Sequence, residues 1–212
     1  MTNTQIHIDY TNGAPLASDD PRGAMARSVQ AAQAVLGEVT AAAAHQPTPC
    51  ADWDVLQLCQ HMIAVLDRAA AGPTDDDINA LPVLADVPLD ELGAAALTSA
   101  QRVHENWSDE AAMSKMIAVP WGEFPGAAVI GVYAGELLLH TWDLAVSLGI
   151  EANWPETDVA IHLQMAQLAI PEDGRNEFVP FGDVVACAET APTIERLAAW
   201  QGRDVSRWSH TK

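Results

Sequence analysis

Residues 127–149 read AAVIGVYAGELLLHTWDLAVSLG, and the way this stretch folds decides the architecture of the chain. Its pattern is that of one long apolar helix, from about 127 to 149. Two ionisable side chains, Glu136 and His140, sit four residues apart inside it. On an α-helix that spacing puts both on one face, a single turn apart. Val129, Val132, Tyr133 and Asp143 share the face, and three leucines fill the turn between the pair. An unpaired carboxylate buried there would be expensive or would take up a proton. Either a local Glu136–His140 hydrogen bond or a loop amide compensates it, or a metal ion turns both groups into ligands.

Working outward, Asp54 with Gln57 three residues on has the form of a capping box. It opens a helix that runs through VLQLCQHMIAVLDRAAAG to Gly72. His61 lies on the apolar face of that helix, flanked by Leu58 and Val65, and is either a satisfied core histidine or a third ligand. If the two helices face each other, His61, Glu136 and His140 supply N, O and N to one ion and leave a position open. Three protein ligands with an open position is the pattern of catalytic rather than structural zinc. Cys59 is two residues from His61, which turns it away by about 200° and removes it from the set. His104 and His162 are assigned to solvated helix edges, and His7, His45 and His210 to the arm, a loop and the C-terminus.

Elsewhere, Asp20 followed by Pro21 starts a helix expected over 21–44. Pro88, Asp90 and Glu91 start another, with Leu92, Ala96, Ser99, Val103 and Trp107 as its buried stripe. PETDVAIHLQMAQLAI forms a fifth, and PTIERLAAWQG a short last helix ended by Gly202. KMIAVPWGEFPG is a connector with room for one short strand, and EFVPFGDVVACA is irregular or weakly extended. The expected fold is all-α: a four-helix bundle over residues 20–208, with an N-terminal arm over 1–19 and a short C-terminal helix. Within the arm, IHIDY is a candidate edge strand. The long loops 73–87 and 108–126 are where a pocket would be roofed. Trp53 and Trp121 flank the candidate ligand helices, and with Glu123 they are the pocket candidates. Trp107 and Trp142 belong to the core. Asp143, one turn beyond His140, either accepts its ring N–H or sits at the helix surface.

Composition narrows the function. Twenty-nine acidic residues against ten basic ones give a formal charge of −19. Such a surface repels nucleic acid and anionic lipid, whose binding needs basic patches. It also opposes aggregation while leaving room for a homodimer. No run of 18 or more apolar residues predicts a membrane span. The N-terminus has neither the basic region nor the apolar region of a secretory signal. Three scattered cysteines read as free thiols in a reducing cytoplasm. There is no glycine-rich phosphate cradle and no GxSxG elbow.

Three segments carry a family resemblance: PTPCADWDVLQLCQHM, VPWGEFPGAAVIGVYAGELLLHTWDLAVSLG and APTIERLAAWQGRD, in that order. Together they resemble the DinB-like metal-binding superfamily, in its actinobacterial branch related to mycothiol-dependent maleylpyruvate isomerase. The likeness spans roughly residues 20–208. It implies a four-helix bundle holding a divalent metal, zinc above all, on His61, Glu136 and His140. It also implies an enzyme that uses a low-molecular-weight thiol such as mycothiol to isomerise or conjugate a small electrophilic metabolite. In such enzymes the metal lowers the pKa of the thiol. The isomerase carries a second domain after the bundle, whereas only about 60 residues follow the long helix here, so maleylpyruvate is not carried over as substrate. Two other readings fit the same residues. One is a non-catalytic metal-binding module, and the other is a zinc-water enzyme that hydrolyses or cyclises a small molecule. The absence of an evident general base beside the ligands leans against the latter.

Overall fold

The computed structural model describes residues 20–74, 76–175 and 181–208. Helix α1 (Pro21–Leu36) starts where Asp20 accepts a hydrogen bond from the Arg22 amide. It stops at Leu36 rather than near 44, because Gly37 caps it and residues 41–45 form a turn. Helix α2 (Val55–Ala71) opens on a full capping box: Asp54 accepts from the Gln57 amide, and the Gln57 side chain accepts from the Asp54 amide. Such a cap stabilises a helix by about 1 kcal/mol. Helix α3 (Leu92–Asn106) follows a 3-10 turn at Leu89–Glu91 and buries Leu92, Ala96, Ser99 and Val103, the stripe expected from its spacing. Trp107 closes it, donating its indole N–H to the Ala69 carbonyl at 2.7 Å.

After the one-turn helix α4 (Ala111–Ser114), the connector holds two strands instead of one. β1 (Met116–Val119) and β2 (Gly122–Pro125) form an antiparallel hairpin, with Ile117 opposite Phe124 and Val119 opposite Gly122. Ile117 and Val119 point inward while Met116 and Ala118 face out, a two-residue alternation too brief to stand out among prolines and glycines. Gly122 at φ 142° makes the tight reversal, a conformation other residues rarely adopt.

Helix α5 (Gly126–Leu148) is the long apolar helix, ended by Gly149 in the left-handed conformation. α6 (Glu156–Ala169), α7 (Thr193–Trp200) and α8 (Val205–Trp208) complete the α-helices of the described residues. α1 packs on α5 and α3, and α2 packs on α3 and α5, so these four helices close a ring. Their shared core includes Met25, Leu58, Met62, Leu66, Trp107, Tyr133 and Leu137. On its other side, α5 sends Leu138, Leu139 and Trp142 into a second cluster with Val159, Leu163, Ile194 and Leu197. α5 is therefore a wall common to two cores, which explains why apolar residues surround it rather than forming one stripe. Its length and composition would suffice to cross a membrane, but 83% of its most apolar window is buried inside the protein.

Two expectations about histidines also change. His162 is not at a solvated edge; it is buried against Gly135, whose missing side chain makes room for the imidazole. His104 is likewise half-buried. The candidate strand IHIDY lies outside the described residues, whereas the part of EFVPFGDVVACA that is described has no regular structure.

Candidate metal centre

Because α2 packs on α5, their polar residues on apolar faces meet. The candidate ligand atoms of His61, Glu136 and His140 all lie within 4.8 Å of one another. His61 Nε2 is 3.3 Å from a Glu136 carboxylate oxygen, and the two imidazole rings stand edge to face with centroids 4.8 Å apart. Trp53 covers the pair, its ring centroid 4.2 Å from that of His61 and 6.0 Å from that of His140.

Each histidine is held from behind. His61 Nδ1 is 2.9 Å from the Val83 carbonyl, so that nitrogen carries the proton and donates it. His140 Nδ1 is 3.0 Å from Asp143 and donates to its carboxylate. Both rings thus keep Nε2 as the nitrogen available to a ligand, the arrangement typical of metal-binding histidines. Nε2 of His61 then faces a carboxylate oxygen, lone pair against lone pair. Either a second proton on His61 or a cation between them resolves that contact. A tetrahedral ion with bonds of about 2.0–2.1 Å spans an edge close to the 3.3 Å seen here, so the donor set fits zinc.

Electrostatics agree with this. Burial opposes the Glu136 charge, but positive charge in the site, whether a proton shared with His61 Nε2 or a cation in its place, together with Arg68, outweighs it and holds the carboxyl below its ordinary range. Burial lowers the pKa of His140, against the raising effect of Asp143, so its imidazole is neutral and ready to ligate. Glu136 is the most open of the three, with 31% of its side chain exposed against 6% for His61. It marks the side from which a small molecule would enter.

Asp143 is wholly buried and does not face solvent. Burial disfavours its charge, yet Arg203 and His140 keep its carboxyl below the usual range. Arg203 and Cys50 are the neighbours that sequence reasoning missed. Cys50 Sγ lies 3.9 Å from His140 Nδ1, and Arg203 Nη2 lies 3.2 Å from that sulfur. Cys50, His140 and Asp143 are close enough to form a second ligand cluster, but the Arg203 guanidinium already neutralises the carboxylate there. Burial pushes the Cys50 thiol up to about 12, so it is not a thiolate ligand at neutral pH. Cys59, also raised to about 12 by burial, lies outside both clusters. Both missed residues fall in segments already notable in the sequence, PTPC and QGRD, though nothing in their spacing indicates contact with the helix at 126–148.

The remaining pocket candidates lie farther out. Trp121, exposed at the hairpin turn, places its ring centroid 5.9 Å from that of Tyr133, one turn before Glu136 on α5. Glu123 is exposed on β2, opposite Ala118, and is not among the residues brought together around His61.

Comparison with known proteins places the fold and the family of the chain. An uncharacterised protein of Mycobacterium tuberculosis, found in strains CDC 1551 / Oshkosh and ATCC 25618 / H37Rv, is 31% identical over 189 residues, which cover 88% of this chain and 99% of its own. The crystal structure of a histidine-to-alanine mutant of mycothiol-dependent maleylpyruvate isomerase matches with a TM-score of 0.53 at 15% identity, over 71% of this chain and 68% of that one. At that identity the likeness establishes the all-α fold. Residues 25–145, which include His61, Glu136, His140 and Asp143, match the family described as the mycothiol maleylpyruvate isomerase N-terminal domain, and the chain belongs to that family.

Proposed function

We propose that this protein is a zinc-dependent enzyme of the cytoplasm that uses a low-molecular-weight thiol, mycothiol foremost, to isomerise or conjugate a small electrophile. The observation that carries this reading is the convergence of His61, Glu136 and His140 within 4.8 Å, with both rings held through Nδ1. Zinc bound there would lower the pKa of a thiol into the neutral range. Family membership supports the choice of thiol.

The chain's own residues have definite tasks in this scheme. The Val83 carbonyl and the Asp143 carboxylate hold the Nδ1 protons, and so fix the orientation and tautomer of each ring. The Trp53 ring shields His61 from water on one side. Glu136, partly exposed, supplies the negative charge that reduces that of the ion and lines the way in.

Metal analysis of tag-free protein, followed by X-ray absorption with and without added thiol, tests the proposal. It expects about one zinc per chain and a sulfur scatterer on thiol addition. Zinc without entry of sulfur would overturn the thiol chemistry, leaving a water-activating enzyme or a non-catalytic module. Absence of metal would overturn the whole reading, with His61 and Glu136 then forming a simple ion pair.

A further inference from the structure

Three segments far apart in sequence meet on the Nδ1 side of the His140 ring. Cys50 comes from the loop before α2, Asp143 from α5, and Arg203 from the turn between α7 and α8. Arg203 grips the carboxylate with two nitrogens, Nη2 at 2.9 Å from Oδ2 and Nε at 3.3 Å from Oδ1. Its Nη1 donates to the Gln201 carbonyl at 3.0 Å, and its Nη2 also reaches Cys50 Sγ at 3.2 Å. The side chains of Arg203 and Asp143 are 11% and 0% exposed.

A buried ion pair is a poor source of stability, since desolvation offsets most of its attraction. What this one does provide is geometry. A two-point grip by a planar guanidinium fixes the plane of the carboxylate. Asp143 Oδ2 is the atom that accepts both from Arg203 and from His140, at 2.9 and 3.0 Å. The angle of the carboxylate therefore sets the angle of the imidazole, and with it the direction of Nε2.

We infer that Arg203 is a positioning residue of the metal centre: acting through Asp143, it holds His140 with Nε2 aimed at the ion. The inference rests on the metal reading above. Arg203 lies outside residues 25–145, the part of the chain that matches the family. The C-terminal segment thereby completes a site whose ligands are all in the bundle. Without the guanidinium the carboxylate loses its anchor and the ring can turn.

The test uses the full-length protein and its R203Q and R203K variants, with two readouts. Long-range proton–nitrogen spectra of the metal-free protein report which ring nitrogen of His140 carries the proton. Titration with zinc against a competing chelator reports affinity. In the wild type His140 is protonated at Nδ1. In R203Q that preference should weaken, and zinc affinity should fall by about ten- to a hundredfold, the usual effect of removing a partner of a metal-bound histidine. R203K, which keeps the charge but not the fork, should recover part of the affinity and guards against loss of fold in R203Q. Unchanged affinity in R203Q overturns the inference. So does lost affinity with unchanged His140 nitrogen shifts, which would make Arg203 merely structural. If the wild type binds no zinc, the metal reading is what fails, and the nitrogen shifts alone decide whether Arg203 orients His140.

Discussion

Asp143 Oδ2 stands 3.0 Å from Nδ1 of His140, three residues earlier on the same helix, with the carboxylate wholly enclosed. The side chain that answers for His140 is thus carried by the helix that carries His140, so one turn of α5 fixes the spacing of their backbones while Arg203 fixes the plane of the carboxylate. His61 depends instead on a loop carbonyl, that of Val83. The two sides of the site have unequal supports, and substitutions should reveal it.

Replacing His61 or His140 by alanine should abolish zinc binding. Glu136→Gln should weaken it and leave the bundle folded, because the amide keeps the shape but not the charge. Plasma mass spectrometry with circular dichroism checks all three. Full occupancy in either alanine variant would refute the three-ligand centre. Glu136→Leu that kept its metal and gained stability would make the glutamate a tolerated core residue.

Asp143→Ala should destabilise the protein by about 3–5 kcal/mol, since it strands the buried Arg203 guanidinium. Urea unfolding of the metal-free protein measures this apart from any effect on zinc. A loss below about 1 kcal/mol would mean that Arg203 reaches solvent when its partner is removed.

Stability should fall as the pH drops below about 6.5, the ordinary histidine value. His162, on α6, is buried against Gly135 of α5, and burial lowers its pKa although Asp158 acts to raise it. Arg27 from α1 in turn pairs with that Asp158 at 2.6 Å. In the unfolded chain the imidazole takes a proton as pH falls through its ordinary value, whereas in the folded chain it does so only at lower pH. Its contribution is complete above that value and shrinks below it. His140, lowered by burial, adds to the same loss. Urea midpoints at pH 5.5 and 7.5 should differ less in His162→Gln than in the wild type.

Tyr133→Phe should leave stability unchanged or raise it by about 1 kcal/mol. The Tyr133 hydroxyl is buried with no hydrogen-bond partner among the described residues, and burial drives its pKa upward. Removing an unsatisfied polar atom removes its desolvation penalty. A loss of more than about 1 kcal/mol in thermal unfolding would show that the hydroxyl has a partner in solution.

Gly126→Ala should cost about 1–3 kcal/mol or more, because its Cβ would stand 2.0 Å from the Ala112 carbonyl oxygen and 3.0 Å from Trp107. The start of α5 is wedged against α4 and the tryptophan that closes α3 at that point. Differential scanning calorimetry of the purified variant gives the answer.

Much of this was legible from residue spacing. Periodicity located α2, α3 and α5, and the four-residue interval singled out Glu136 with His140, because helical geometry is local and repeats along the chain. His61 was found for the same reason, as a polar residue at an apolar position. The failures were of another kind. α1 ends before the expected boundary because the alanines after Gly37 favour helix without requiring it. The burial of His162 is not legible in its own helix because it depends on Gly135, 27 positions away on another. Arg203 and Cys50 escape sequence reasoning because each reaches the His140–Asp143 pair only through tertiary packing, for which no local period exists.

The position of α5 between two cores has a consequence for synthesis of the chain. α1 and α2 emerge early from the ribosome, yet each finds a principal packing partner in α5, whose last residues follow Pro21 by well over a hundred positions. The bundle cannot close around half of itself, so the N-terminal helices wait, partly exposed, for the wall they share. His61 is in place on α2 long before Glu136 and His140 exist as neighbours. Metal capture at the proposed centre would thus be a late event, and a nascent chain stalled before Glu136 would offer a metal only His61 of the three.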